Sequence, residues 1–353
     1  MKRKIGVINA GAWGTAISKV LAENGHKVHI WDFMDSVVQD INKNHRNNHY
    51  LPEVDLPKSI TATTDIVKAA NKMDYLFVAT PSLFIEKVIK DLAKVPSVAD
   101  GKTRIGVLTK GFIPKEDNPK LILSSMENIL PPSYTGNLVY ISGPSHAEEV
   151  AIGKLTGLIS ASQNGVNSIR YRELFNGTNV VVFSSLDTIG VQTCGAVKNV
   201  IAIGFGILDA LGEMSPRFGD NTESLLLAAG LNEIQTIGMA LGSTHPETFT
   251  SIAGVGDLDV TCRSKHGRNR RFGREIITAR VLNNFKDIED LIANMSRIGY
   301  LSEGVVAAKY THQLMAKYNI KLSVCEAVYS ILNRESDPRD SIQNLMKTLS
   351  MVP

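Results

Sequence analysis

From Lys4 to about Asp187, short apolar runs alternate with segments of helical period, and this alternation limits the possible folds more than any other feature. The runs 4–9 (KIGVIN), 27–31 (KVHIW), 75–80 (YLFVAT), 104–109 (RIGVLT), 138–142 (LVYIS), 157–161 (GLISA) and 180–184 (VVVFS) have the length and composition of buried strands. Segments 15–24 (TAISKVLAEN) and 83–93 carry apolar residues at helical spacing, and Gly25 is placed to end the first helix. Apolar strands alternating with helices predict an α/β domain whose mostly parallel sheet has helices on both faces.

The pattern changes near residue 188. Segment 190–211 (GVQTCGAVKNVIAIGFGILDAL) is long, apolar and rich in Gly and Ala. Its length favours a buried helix over a strand, and its small residues would let a second helix or a ligand come close. Segments 222–241, 271–282, 305–318 and 324–333 also have helical patterns. Two domains follow, 1–188 (α/β) and 189–353 (all-α), expected to pack around a shared cleft. The length of 353 residues suits two domains.

Composition narrows the function classes. The net charge of +3 is too small to argue for a nucleic-acid surface. Cys194, Cys262 and Cys325 are widely spaced and odd in number, so they suggest no disulfide framework and no zinc pattern. No metal-ligand spacing stands out among the eight histidines. A reducing, cytoplasmic setting is expected. The basic start, residues 1–4, precedes an apolar run that Gly11, Gly14 and Lys19 interrupt; it reads as a first strand and not as a signal peptide. No uninterrupted apolar run reaches the length of a membrane span.

Residues 9–14 (NAGAWG) join the first strand to the first helix, where a Rossmann-like fold places its glycine-rich, pyrophosphate-binding turn. Asn9 stands where the first glycine of G-x-G-x-x-G is usual. Asn tolerates positive φ better than most residues, so the turn can survive. Asn9, Gly11, Ala12, Trp13 and Gly14 are therefore expected at the cofactor. Asp32 ends the second strand, where a carboxylate can accept hydrogen bonds from the adenosine ribose and repel a 2′-phosphate. That favours NAD, with NADP possible. Thr80 and Lys110 follow later strands and are expected at the same crevice.

Lys198 lies inside the long apolar segment with no other charge from Val191 to Leu208. A buried ammonium is costly unless it has a partner, and a buried lysine is suited to moving a proton to or from a carbonyl oxygen. Asp257 sits in a glycine-flanked turn (254–258, GVGDL), where it could face a lysine or a substrate hydroxyl, or simply cap a helix or hold a turn. Residues 267–271 (GRNRR) form a compact basic cluster that would suit a phosphate, or a solvated helix start.

Several segments, in order, carry a resemblance: 9–16 (NAGAWGTA), 47–57 (NNHYLPEVDLP), 108–112 (LTKGF), 142–150 (SGPSHAEEV), 194–212 (CGAVKNVIAIGFGILDALG), 219–221 (GDN), 254–262 (GVGDLDVTC), 267–273 (GRNRRFG) and 302–304 (SEG). Over nearly its whole length the chain resembles the NAD(P)-dependent glycerol-3-phosphate dehydrogenase family. The resemblance implies reversible hydride transfer between sn-glycerol 3-phosphate and dihydroxyacetone phosphate, feeding glycerophospholipid synthesis, by a homodimer. It implies that Lys198 moves the proton at the substrate C2 oxygen, that Lys110 contacts substrate and nicotinamide, and that Asp257 organises the site. Arg268 and Asn269 would bind the substrate phosphate, with Gly143, Ser145 and Gly267 lining the pocket. Ala147, Glu303 and Arg268 would touch the cofactor. Gly267 stands where many bacterial members have Ser, so a hydroxyl ligand is missing there. Residues 213–217 (EMSPR) are an extra stretch. Two other readings remain at this stage: a related 3-hydroxy acid dehydrogenase and a non-catalytic NAD(H) sensor.

Overall fold

The computed structural model describes residues 2–113, 119–264 and 267–351. The chain divides into two compact units. One reaches Ile113 and resumes from Leu121 to Thr188; the other runs from Ile189 onward.

The first unit is built on an eight-stranded sheet. Its order is Val180–Ser185, Thr156–Ala161, Val139–Ser142, Arg104–Val107, Tyr75–Val78, Lys4–Ile8, Lys27–Trp31, Thr61–Thr63. Neighbours are parallel except Val139–Ser142 and Thr156–Ala161, which pair antiparallel with Tyr140 opposite Ala161. The parallel central strands all present their carboxyl ends along one edge of the sheet. Asn9, Asp32, Thr80, Lys110 and Gly143 follow five of those ends, which is where ligands bind in open α/β sheets. Central strands bury Ile5, Val7, Val28, Ile30, Phe77 and Ile141, and the helix Ala12–Glu23 lays Ala16, Ile17, Val20 and Leu21 on the core.

Short polar elements escaped the sequence reading. These are the edge strand Thr61–Thr63, the antiparallel pair Arg46–Asn47 with Leu51–Asp55, and the helix Asp35–Asn44. Few apolar residues mark them, so period alone cannot show them.

The second unit is helical. Its central helix, Thr188–Gly212, is long and apolar enough to cross a membrane, but 94% of its most apolar window is buried inside the protein. The expected use of its small residues is visible. A Cβ on Gly206 would lie 2.0 Å from the Arg270 carbonyl oxygen, and one on Gly273 would lie 2.1 Å from that of Ile203. Two helices, Thr188–Gly212 and Arg268–Thr278, therefore touch backbone to backbone. The latter starts three residues earlier than its apolar period indicates, because its first turn is the basic segment.

Candidate active site

In the first unit the turn after Lys4–Ile8 has the shape expected of a dinucleotide cradle. Asn9 adopts φ 86°, the left-handed region that the missing glycine would have occupied. Its own side chain supports the turn: Oδ1 accepts from Gly11 N at 3.3 Å and Nδ2 donates to Asp32 Oδ2 at 3.2 Å. Gly14 has no room for a side chain, since a Cβ would meet the Asn9 carbonyl oxygen at 2.1 Å. Gly11 is the N-cap of Ala12–Glu23 and no side chain caps that helix, so its first N–H groups point at the turn. Ala12 and Trp13 are the first helical residues and are half-buried. These groups fit a pyrophosphate, a negatively charged group that takes N–H donors and has no need of a side-chain cap.

Asp32 lies beneath the same turn. Its carboxylate is fully buried. Oδ2 accepts from Ala10 N at 2.9 Å as well as from Asn9, and Oδ1 accepts from Met34 N at 3.0 Å. Burial pushes its pKa up, and the Met34 and Ala10 amides pull it back. A carboxylate so placed holds the turn together. The neighbouring Phe33 is the exposed group at this strand end, at 66%. Asn47, outside the sequence expectations, is fully buried and donates to the Ala10 carbonyl at 2.7 Å and to Thr15 Oγ1 at 2.8 Å, bracing the same turn from behind.

Further along the same sheet edge, Lys110 Nζ donates to the Gly143 carbonyl at 3.1 Å, and Ser145 Oγ donates to that carbonyl at 3.0 Å. The structure thus gathers Lys110, Gly143 and Ser145 around one oxygen. Gly143 has φ 129°. Ala147 is buried against the core at the start of the short helix Ala147–Ala151.

The second unit holds the other expected group. Lys198 is buried in the middle of Thr188–Gly212 and its ammonium is ion-paired to Asp257 Oδ1, itself almost wholly buried. Lys198 Nζ also donates to Thr261 Oγ1 at 2.9 Å, and Thr261 in turn donates to the Asp257 carbonyl at 2.6 Å. Asp257 opens the helix Asp257–Arg263, so Thr261 sits one turn later on the same face. That i, i+4 spacing was the available signal for Thr261, which the sequence reading missed. Among the readings left open for Asp257, the structure supplies the lysine partner. Cys262, next to Thr261, is fully buried, and burial pushes its thiol up, which keeps it neutral.

The close helix crossing brings Asn269 beside Asn199. Asn269 Nδ2 donates to Asn199 Oδ1 at 2.9 Å, and Asn199 Nδ2 donates to the Gly195 carbonyl at 3.2 Å. Asn269 Oδ1 accepts from Ser302 Oγ at 2.9 Å and from Gly304 N at 3.0 Å. Gly267 is the N-cap of Arg268–Thr278, and Arg268, its first residue, is exposed. Arg270 and Arg274 turn away to Asp209, at 2.5 and 3.7 Å. Of the basic cluster, then, Arg270 is committed to an internal carboxylate, Arg271 pairs with Glu275 at 2.7 Å on the surface, and Arg268 is left exposed. Glu213, in the extra stretch, pairs with Arg274 at 2.8 Å and borders a cavity of about 290 Å³ with Asp209 and Arg270. Glu303 is the first residue of Glu303–Tyr318 and is half-buried.

Comparison with known proteins accounts for both units. Residues 4–167 match the family described as NAD-dependent glycerol-3-phosphate dehydrogenase N-terminus, and residues 187–343 match its C-terminus. The NAD(P)+ glycerol-3-phosphate dehydrogenase of Treponema denticola is 54% identical over 353 residues, covering 98% of this chain and 99% of the relative. That of Enterococcus faecalis is 36% identical, covering 98% and 96%. The crystal structure of glycerol-3-phosphate dehydrogenase from Coxiella burnetii superposes with a TM-score of 0.84 at 32% identity, covering 98% and 99% of the two chains. A glycine-type turn braced by Asn9, a buried lysine–aspartate pair and two family matches that together span the chain lead to one assignment: this protein belongs to the NAD-dependent glycerol-3-phosphate dehydrogenase family.

Proposed function

We propose that the chain interconverts sn-glycerol 3-phosphate and dihydroxyacetone phosphate, with Lys198 moving the proton at the C2 oxygen. The observation that carries this reading is the buried Lys198 ammonium, held by Asp257 and Thr261 in the same unit as Asn269 and Arg268. A cation in a dry site polarises a carbonyl far more strongly than one in water. Asp257 compensates the charge of Lys198 and fixes where its proton points. NAD(P), when bound, supplies the hydride to C2 or accepts it from there. Asn9, Gly11, Ala12, Trp13 and Gly14 cradle the cofactor phosphates. Exposed, uncharged Phe33 beside them neither attracts nor repels a 2′-phosphate, so both cofactors remain compatible.

Arg268 offers a planar fork to the substrate phosphate and Asn269 an amide donor. Lys110, Gly143, Ser145 and Gly267 complete the substrate contacts in this reading, and Ala147, Glu303 and Arg268 those of the cofactor. The same reading includes a homodimer in a reducing cytoplasm, supplying glycerol 3-phosphate for glycerophospholipid synthesis. The three free, buried cysteines are consistent with a reducing setting.

The test follows NADH and NADPH absorbance with dihydroxyacetone phosphate and with unphosphorylated dihydroxyacetone. Oxidation confined to the phosphorylated ketone supports the reading. Equal rates with both ketones would remove the phosphate pocket from it, and no oxidation with either cofactor would overturn the reaction. Arg268→Ala should lower kcat/KM for the phosphorylated ketone by about 10–100-fold, the worth of a charge-assisted contact. At saturating NADH, which removes any effect through its cofactor contact, it should leave the unphosphorylated ketone unchanged; a loss shared by both under that condition would show that Arg268 does not bind phosphate.

A further inference from the structure

Helix Glu303–Tyr318 begins at Ser302, an N-cap position where a serine ordinarily turns its oxygen to the free N–H groups of the first turn. Ser302 makes no such bond. Its hydroxyl is fully buried and donates instead to Asn269 Oδ1, and the cap is made by Asn269, whose Oδ1 also accepts the second helical N–H, that of Gly304. The side chain of one helix start thus closes the start of another.

The orientation of Asn269 follows from this. At one end of the chain of amides stands the Gly304 N–H, which can only donate; at the other stands the Gly195 carbonyl, which can only accept. Between them each link runs one way: Gly304 and Ser302 to Asn269 Oδ1, Asn269 Nδ2 to Asn199 Oδ1, Asn199 Nδ2 to Gly195. A flip of the Asn269 amide would set its NH2 against the Gly304 N–H and its oxygen against Asn199 Oδ1. Both acceptor sites of Oδ1 are filled and one Nδ2 hydrogen is used. The other Nδ2 hydrogen remains uncommitted among the described residues, on a side chain more than nine-tenths buried.

We infer that Ser302 is a positioning residue for substrate phosphate. Its hydroxyl supplies the second donor that locks Asn269 with one amide N–H presented to the ligand. This rests on the assignment of Asn269 to the phosphate. It also explains why Ser302 forgoes the cap: the Gly304 N–H alone satisfies one lone pair of Oδ1 and leaves the amide freer to turn.

The test compares Ser302→Ala, Ser302→Thr and Asn269→Ala in steady-state kinetics with dihydroxyacetone phosphate and with unphosphorylated dihydroxyacetone. Ser302→Ala should raise KM for the phosphorylated ketone about fivefold, the effect of one neutral hydrogen bond, with kcat within about twofold. Kinetics with the unphosphorylated ketone should not move. Ser302→Thr, which keeps the hydroxyl, should regain part of the loss. In the Asn269→Ala background, Ser302→Ala should add nothing, since it acts through that amide. An unchanged KM in Ser302→Ala, or an equal loss on both ketones, would overturn the inference while an Asn269→Ala loss confined to the phosphorylated ketone kept the assignment of Asn269. Equal losses on both ketones for Asn269→Ala would instead overturn that assignment, and the role of Ser302 with it.

Discussion

Replacing Lys198 by Met lowers kcat by about 10²–10⁴-fold, the usual contribution of a positioned general acid, while NADH binding measured by fluorescence stays near that of the unaltered chain. The two readouts separate because Lys198 belongs to the helical unit and the nucleotide turn to the other. The substitution has a second effect. It leaves the Asp257 carboxylate buried without its ammonium, and breaking a buried pair costs about 3–5 kcal/mol. Thermal unfolding of Lys198→Met should therefore shift to a lower Tm. Adding Asp257→Asn removes the stranded charge and should recover most of that Tm with no recovery of turnover. A single variant within a few-fold of normal kcat would end the assignment of Lys198. Recovery of turnover in the double variant would place the loss in stability and not in proton transfer.

Asp32→Ala destabilises the first unit by about 1–3 kcal/mol, because the buried Ala10 N loses its acceptor, with a smaller further loss from the part-buried Met34 N. Urea unfolding measures this directly. The effect on cofactor choice distinguishes the two possible roles of this carboxylate. Acting from beneath the turn, it supports NADH and NADPH alike, so their KM values should rise together with a ratio changed by less than about twofold. A carboxylate repelling a 2′-phosphate would behave differently: its removal would favour NADPH by about tenfold, the worth of about 1.4 kcal/mol. That outcome would place the carboxylate at the ribose.

Asp32 also shows where sequence reading stops. Its position after the second strand was correct, and position in a motif implied a ligand. Which way the carboxylate turns depends on Asn9. With a side chain in place of the usual glycine, Asn9 both needs a partner and fills the space beneath the turn, and Asp32 satisfies it from 23 positions away. Lys198 was more legible. A lone charge within an apolar helix demands a counter-charge wherever the helix is buried, and Asp257 was already a candidate. Thr261 could have been found from its helical spacing to Asp257. Segments 47–57 and 302–304 carry the family resemblance, but nothing in them announced the bracing role of Asn47 or the bond Ser302 makes, since a serine at a helix start and an asparagine in a short polar strand are ordinary.

The order of apolar runs and helical segments, by itself, determined the α/β first unit, the helical second unit and the place of the nucleotide turn. Those properties come from period and backbone chemistry, which are local. Tertiary structure decided the antiparallel return of Thr156–Ala161, the division of the arginines between Asp209 and the surface, and the locked amide of Asn269. Each of these rests on atoms from residues tens of positions apart brought within 4 Å. A hydrogen bond or ion pair at that range depends on which helix faces touch, and here Gly206 and Gly273 set that contact by letting two backbones meet.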